Sequence, residues 1–179
     1  MPVLAYPARV PGFRSDHVEV HLFRRRGRKV EFLILRRASK RRKLPGVWQP
    51  VTGSRNWRER AIAAAVREVR EETGLEPRRW WGVEGLTGWF DARRDAWVLL
   101  PVFAAELPAR ARVTLSKEHD RHAWVSARMA GRRFFWDSQR ASLAAVCSQV
   151  LGPPALSAAL EIAVRSARTK GNPRRGGRT

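Results

Sequence analysis

The sequence contains one cysteine, Cys147, among 179 residues, so a disulfide within one chain is excluded. A chain without disulfides favours a reducing compartment. The sequence also lacks an apolar run close to the roughly 20 residues that a membrane span needs. Prolines interrupt residues 1–11, where a signal peptide would require an apolar segment. We therefore expect a soluble cytoplasmic protein.

Lysine and acidic residues are scarce compared with arginine. Five of the 36 cationic side chains are lysine, and 16 acidic residues leave a net charge of +20. A basic surface attracts phosphates without regard to sequence, so a nucleic-acid partner is one interpretation of this charge. The cationic residues are spread along the whole chain, however, and a composition bias of the source genome also produces excess arginine. Nucleic-acid binding is therefore an alternative that we do not favour.

Three glutamates, Glu68, Glu71 and Glu72, occur at the spacing i, i+3, i+4 in a segment that ends at Gly74. On a helix their side chains project from one face, where they repel one another. A divalent cation held by carboxylate and phosphate oxygens would remove this repulsion. The alternative is a solvated helix face, on which pairs such as Arg67 with Glu71 offset the like charges. The spacing alone leaves both interpretations open.

These glutamates belong to a longer pattern. Gly53 is followed after five residues by Glu59, and after seven more by Arg67-Glu68-Val-Arg-Glu71-Glu72-Thr-Gly74-Leu75. The pattern fixes nine positions over 23 residues, and at each of them the chain resembles the signature of the Nudix hydrolases. The resemblance implies an α/β (α+β) fold in which a mixed sheet lies between helices. It also implies cleavage of a diphosphate linkage with Mg²⁺ or Mn²⁺.

The resemblance also implies roles for individual residues. Glu68, Glu71 and Glu72 would bind the metal, and the backbone carbonyl of Gly53 would add an oxygen. Glu118, which precedes the strand containing Trp124, resembles a position where many family members place a further glutamate. It would complete the metal site or, like Glu68, act as the base that deprotonates the attacking water.

Three further positions of the signature are expected to be structural. Glu59 and Arg67 would pair with each other and brace the loop against the helix. Gly74 would end the helix, because glycine tolerates the positive φ that a helix end often requires.

Hydrophobic alternation predicts strands and helices on both sides of the glutamate segment. The predicted strands are residues 17–24, 29–35, 47–52, 80–90 and 96–105, and the predicted helices are residues 60–73, 136–151 and 155–167. The corresponding organisation is an N-terminal extension (1–16), a Nudix domain (17–151), a C-terminal helix (152–168) and a disordered basic tail (169–179). Such a chain would be a monomer or a homodimer.

The start of the signature indicates the substrate. The segment Trp48-Gln-Pro-Val-Thr-Gly53-Ser departs from the common Pro-Gly-Gly and resembles the dihydroneopterin triphosphate pyrophosphatases, which also hydrolyse deoxynucleoside triphosphates. This likeness implies release of pyrophosphate from a nucleoside or pterin triphosphate. Trp48 would stack on the ring or, alternatively, pack in the core at a strand edge. Arg36 and Arg37, in a basic segment, are candidates for holding the outer phosphates.

Two alternatives stay open. One is hydrolysis of nucleotide sugars, dinucleoside polyphosphates or capped RNA. The other is a non-catalytic protein that binds nucleotides or nucleic acid, which the net charge supports and the complete set of glutamates disfavours.

Overall fold

The computed structural model describes residues 11–41, 43–85 and 87–164. The strands are β1 (Gly12–Arg14), β2 (His17–Arg26), β3 (Lys29–Arg37), β4 (Trp48–Gln49), β5 (Val51–Ser54), β6 (Arg79–Gly82), β7 (Thr87–Asp91), β8 (Ala96–Leu100), β9 (Val102–Leu107), β10 (His119–Val125) and β11 (Glu161–Ile162). The helices are α1 (Ala61–Thr73), α2 (Ala127–Arg133), α3 (Asp137–Gln149) and α4 (Pro154–Leu160).

Most strands form one mixed sheet in the order β10-β3-β2-β9-β6-β11, with β4 added to β3 and β5 added to β2. The pairing of β2 with β9 is parallel, and the other pairs of this sheet are antiparallel. A second, three-stranded sheet has the order β1-β8-β7. It abuts the main sheet because β8 runs directly into β9.

The main sheet lies between two helical layers. Alternate residues of β2 such as Val18, Val20 and Leu22 pack with Ala65 and Val69 of α1. On the opposite face, Phe23, Phe32 and Trp81 pack with Leu143 and Val146 of α3. We call these the α1 face and the α3 face. The arrangement confirms the predicted α/β/α sandwich with a mixed sheet.

Helix α1 closely matches its predicted bounds. It ends at Gly74, which has φ 66° in the left-handed region and donates its N–H to the Arg70 carbonyl at 2.9 Å. Gly74 therefore ends the helix, and the three glutamates lie on its last two turns.

Two predicted strands are each divided in the structure. The segment 80–90 forms the end of β6 in the main sheet and β7 in the small sheet, with Gly85 at φ 128° between them. The segment 96–105 forms β8 and β9, which separate at Pro101. Proline cannot donate to a ladder, and the Pro101 carbonyl instead accepts the Glu19 N–H at 3.1 Å. Because of these two breaks, each of the two segments contributes one strand to the main sheet and one strand to the small sheet.

The ends of the chain also differ from expectation. The predicted extension contains β1, which pairs in parallel with β8. The predicted helix over residues 155–167 was too long: α4 ends at Leu160, and the following residues form β11 on the edge of the main sheet. The pairing is reinforced by an Arg79–Glu161 ion pair at 2.7 Å. The basic tail over residues 169–179 lies outside the described residues.

Within the described part of the chain, no single helix is long and apolar enough to cross a membrane. Only α3 and α4 together reach the required length and hydropathy, and they are bent by 116° relative to each other.

Candidate active site

Arg67 links the loop after β5 to helix α1. Its guanidinium donates to both carboxylate oxygens of Glu59, at 3.0 and 2.9 Å, and to the Ser54 carbonyl at 2.7 Å. Glu59 also accepts the Asn56 N–H at 2.8 Å. These bonds, first those from Arg67, lower the pKa of Glu59 to about 2. The pair therefore links the loop after β5 to helix α1.

Gly53 lies directly against the carboxylate of Glu68. In β5 it pairs with Val18 of β2, and a Cβ added to it would overlap the Glu68 carboxyl group. Glu68 is mostly buried and accepts from Arg67 Nη1 at 2.7 Å. Burial raises the pKa of Glu68, and the neighbouring Arg67 charge opposes that shift. Glycine is therefore required here because the carboxylate and the backbone approach each other closely.

Glu72 is the most deeply buried of the three helix glutamates, with 5% of its surface exposed. Its Oε2 atom lies 3.8 Å from His119 Nδ1, and neither atom has a hydrogen-bond partner among the residues that the structure describes. Burial, followed by the charges of Glu68 and Glu118, raises the pKa of Glu72 well above its ordinary value. An unpaired buried carboxylate is costly, so this oxygen is suited to an external partner.

Glu71 and Glu118 occupy the solvent side of the cluster. Glu71 accepts from Arg67 Nη1 at 3.1 Å, and Glu118 pairs with Arg41 Nη2 at 3.2 Å. The Ser116 N–H donates to the Glu72 carbonyl at 3.2 Å and so holds the segment before β10 against the end of α1. The structure therefore brings together Glu118 and the three helix glutamates.

The donor set fits a divalent cation. It offers hard carboxylate oxygens, including the unpartnered Glu72 Oε2, beside the backbone of Gly53. Within residues 11–41, 43–85 and 87–164, no three His, Cys, Asp or Glu side chains already place their donors around one point. One guanidinium, that of Arg67, contacts oxygens from two of the glutamates, Glu68 and Glu71.

The comparison with protein families decides the identity of this fold. The family model described as NUDIX domain matches residues 14–146, well over half of the chain. The chain belongs to the Nudix family. The resemblance seen in the sequence is thereby confirmed, and the chain is a pyrophosphohydrolase. No curated protein matches it.

Solved Nudix structures are similar over most of the chain. A protein solved as a NUDIX hydrolase from Listeria monocytogenes has 26% identity and a TM-score of 0.65, covering 77% of this chain and 95% of that one. A MutT protein from Methanosarcina mazei Go1 has 27% identity and a TM-score of 0.60, covering 74% and 91%. The E. coli dihydroneopterin triphosphate pyrophosphohydrolase has 22% identity and a TM-score of 0.57, covering 73% and 94%. The last likeness shows the fold alone.

The two arginines predicted to hold phosphates face different sides of this Nudix sheet. The charge of Arg37 acts to lower the pKa of both Glu72 and His119, so Arg37 lies on the side of the carboxylates. Arg36 is opposite Trp48 in the β3–β4 register and donates to Asp120 at 2.7 Å. The alternation of side chains along β3 separates these neighbours.

Trp48 lies in the core position that was the alternative to stacking on a substrate. Its ring packs with the residues of the α3 face, and the Arg133 guanidinium lies 5.2 Å from the ring centre. The backbone of Trp48 also forms a bridge with Phe134. The side chain is half-buried and faces away from the carboxylates.

Sequence reasoning missed two residues that adjoin the carboxylates. His119 was omitted from the candidate set, yet its side chain is buried beside Glu72 and lies 3.5 Å from Gln49 Nε2. Burial lowers its pKa to about 4, so the ring is neutral at pH 7. Arg41 belongs to the same basic segment as Arg36 and Arg37, residues 36–43, whose cations were candidates for phosphate binding, but its contact with Glu118 was not predicted. Its contact with Glu118 depends on the packing of that segment against β10, for which no local pattern gives a signal.

Proposed function

We propose that the chain hydrolyses a nucleoside or pterin triphosphate to the monophosphate and pyrophosphate. The observation that carries the proposal is the buried, unpartnered oxygen of Glu72 within a cluster of four carboxylates and three arginines, Arg37, Arg41 and Arg67. Such a cluster suits a substrate that brings both a cation and several phosphates. The likeness of residues 48–54 to the dihydroneopterin triphosphate pyrophosphatases supports a triphosphate as the substrate.

Glu68, Glu71, Glu72, Glu118 and the Gly53 carbonyl are the proposed ligands of Mg²⁺ or Mn²⁺. When bound, the cation would neutralise the polyphosphate and acidify water. Arg67 would then yield its contacts with Glu68 and Glu71 but keep its bidentate pair with Glu59, which holds the loop in place. A bound cation would therefore displace the contacts of Arg67 with Glu68 and Glu71 but not its contact with Glu59.

Glu68 and Glu118 are the proposed candidates for the base. The base removes a proton from water as the water oxygen forms a bond to one phosphorus, and the anhydride bond to the pyrophosphate breaks in line. Glu118 is about half exposed, so its carboxylate can follow the attacking water. Glu68 is held against Gly53, so its position is fixed. Either position is compatible with general base catalysis.

Arg37 and Arg41 are the proposed phosphate-binding residues. Both contribute positive charge at His119, beside the carboxylates, and Arg41 already contacts a carboxylate oxygen. A guanidinium that pairs with a carboxylate can also pair with a phosphate, often through two parallel N–H bonds. Arg36 is a weaker candidate, because it is held by Asp120.

The test is a substrate panel with Mg²⁺, Mn²⁺ or EDTA. Deoxynucleoside triphosphates, dihydroneopterin triphosphate, ADP-ribose and diadenosine polyphosphates are supplied, and pyrophosphate, phosphate and nucleotide products are separated. We expect metal-dependent release of pyrophosphate from a triphosphate. Turnover of only ADP-ribose or diadenosine polyphosphates would contradict the proposed substrate, and turnover of none would contradict catalysis.

A further inference from the structure

Two histidine–glutamate pairs are buried in the main sheet, one on each face. On the α3 face, His21 Nε2 lies 2.9 Å from Glu19 Oε1 and is hydrogen-bonded to it. On the α1 face, His119 Nδ1 lies 3.8 Å from Glu72 Oε2, and both residues are 5% exposed. Neither of these two atoms has a hydrogen-bond partner within residues 11–41, 43–85 and 87–164. The second pair therefore leaves a buried nitrogen and a buried oxygen close together but unbonded.

The other nitrogen of the His119 ring adjoins a glutamine amide. His119 is the first residue of β10, and its Nε2 lies 3.5 Å from Nε2 of Gln49 in β4. The same amide nitrogen donates to Thr52 Oγ1 at 3.2 Å. An amide nitrogen carries two hydrogens and does not accept, so Gln49 can serve both neighbours as a donor. His119 Nε2 is therefore the acceptor of the second hydrogen bond.

This contact fixes which nitrogen of the His119 ring carries the hydrogen. A ring nitrogen that accepts a hydrogen bond has no hydrogen of its own, and the one N–H of a neutral imidazole must then be on Nδ1. His119 Nδ1 is therefore a donor beside the acceptor Glu72 Oε2. Their separation is about 1 Å longer than an ordinary N–H···O bond, a gap that small rotations of the two side chains would close. Because Nδ1 has no free lone pair in this tautomer, it is excluded as a ligand of the cation.

Glu72 differs from the other proposed ligands in the side chains that can orient it. Arg67 contacts two of the neighbouring glutamates, and Arg41 contacts the third. In the part of the chain that the structure describes, Glu72 has His119 and no arginine within ion-pair distance. A neutral ring can orient a carboxylate without adding a positive charge that would compete with a cation. Each carboxylate oxygen has two lone pairs, so Oε2 can accept from Nδ1 and still bind a cation.

We propose that His119 is a positioning residue, which donates a hydrogen bond from Nδ1 to Glu72 Oε2 and so orients this carboxylate for a divalent cation. Gln49 acts one step further away by keeping the hydrogen on Nδ1. Metal-binding carboxylates are commonly held by hydrogen bonds of this kind, and loss of such a partner typically costs about 10–100-fold in metal affinity. The inference rests on the proposed function, in which Glu72 is a metal ligand, and it adds two residues to that site.

The first test is the tautomer of His119 in the unmodified chain. Long-range ¹H–¹⁵N spectra of the protein labelled at histidine, recorded in EDTA at pH 7, distinguish ring nitrogens with and without a hydrogen. The signals of His119 are identified by their loss in a His119 variant. We expect a hydrogen on Nδ1 and none on Nε2. A hydrogen on Nε2, alone or together with one on Nδ1, would overturn the proposal.

The second test measures Mn²⁺ affinity without substrate, from the electron paramagnetic resonance signal of free Mn²⁺. His119→Phe fills the space of the ring but has no donor, and its Kd should rise by about ten- to a hundredfold. His119→Asn is smaller but keeps an N–H at the position of Nδ1, so its Kd should stay within about threefold of that of the unmodified chain. A role in packing alone predicts the opposite order, because phenylalanine fills the site better than asparagine. Equal affinity in the two variants, or tighter binding in His119→Phe, would overturn the proposal.

His122→Asn is the matched control. His122 is an exposed histidine of the same strand, so this substitution should leave the Kd for Mn²⁺ unchanged. Tm in EDTA is measured for every variant. If His119→Phe does not fold, the tautomer of the unmodified chain and the affinity of His119→Asn still decide the proposal.

Gln49→Glu tests the residue that sets the tautomer. The new carboxylate only accepts, so Nε2 of His119 must acquire a hydrogen, which the same spectra should show. An Nε2 without a hydrogen in this variant would contradict the role of Gln49.

Failure of this inference and failure of the proposed function give different results. Pyrophosphate release that is unchanged in His119→Phe contradicts only the role of His119. The expected tautomer and Mn²⁺ affinities, without hydrolysis of any triphosphate, contradict only the proposed reaction.

Discussion

Each face of the main sheet buries a glutamate carboxylate, but the two carboxylates differ in their hydrogen-bond partners. On the α1 face, Glu72 has an oxygen without a partner and lies among other glutamates. On the α3 face, Glu19 bonds to both Ser142 and His21. The carboxylates around Glu72 repel one another, and a bound cation would remove that repulsion. The carboxylate of Glu19, by contrast, already has hydrogen-bond partners within the chain. The comparison indicates that the α1 face keeps a buried oxygen available to an external partner, whereas the carboxylate of the α3 face is satisfied by neighbouring side chains.

The largest expected effect is that of Glu72→Gln, which tests whether the buried, unpartnered carboxylate of Glu72 is needed for activity. Loss of a ligand charge should lower kcat/KM by on the order of 10²-fold or more. The neutral amide should also raise Tm in EDTA, because it removes a buried charge that lacks a partner. Steady-state kinetics and thermal unfolding measure the two effects. Glu76→Gln, at an exposed glutamate just past the helix, should change neither. Full activity in Glu72→Gln would refute the metal assignment.

Gly53→Ala tests the close approach between the Gly53 backbone and the Glu68 carboxylate on the α1 face. The new Cβ must displace the Glu68 carboxyl, so we expect a loss of activity of about ten- to a hundredfold and a destabilisation of about 1–3 kcal/mol. Gly131→Ala is the control. Gly131 lies in α2, where an added Cβ would meet Leu143 at an ordinary 3.8 Å, so alanine should be neutral or slightly stabilising. Equal activity and stability in Gly53→Ala and Gly131→Ala would contradict the requirement for glycine at position 53.

The brace between Glu59 and Arg67 predicts a pH dependence of stability. The pKa of Glu59 is lowered to about 2 in the folded chain, so its contribution is complete above its unfolded pKa and is lost as the pH falls through about 2. We expect this contribution to be on the order of 1–3 kcal/mol. Urea unfolding of the unmodified chain and of Glu59→Gln, from pH 6 to pH 2, measures it. The difference between them should shrink as the pH falls, and a constant difference would contradict the brace.

The smallest expected effects come from two tryptophans. Trp89 is exposed, and its ring centre lies 5.7 Å from that of His17, whose Nδ1 is 3.2 Å from Ser54 Oγ beside Gly53. If a substrate ring stacks there, Trp89→Ala should raise KM by roughly three- to tenfold with little change in kcat, because a stacking contact is worth about 0.5–1.5 kcal/mol. Trp48→Phe should lower stability slightly and leave KM unchanged, since the ring is packed beneath Arg133. Substrate kinetics at saturating metal distinguish them. A raised KM in Trp48→Phe alone would restore Trp48 as the stacking residue.

Several features of the α1 face were predictable because they follow from local rules. Helical spacing placed Glu68, Glu71 and Glu72 on one face, and Gly74 ended the helix as a glycine at positive φ does. The hairpin of β2 and β3 followed from alternation and the turn at Gly27. Strand ends were harder, because the division of residues 80–90 and 96–105 between two sheets depends on pairing partners elsewhere in the chain.

The sequence by itself determined the family, the mixed α/β architecture and the row of glutamates, since each depends on residues that are neighbours along one helix or one strand. Tertiary structure alone decided that His119 is buried beside Glu72, that Arg37 and not Arg36 faces the carboxylates, and that Ser142 meets Glu19 across the sheet. The last two residues are 123 positions apart. Contacts of this kind depend on strand order and on how α3 packs, which no local periodicity encodes.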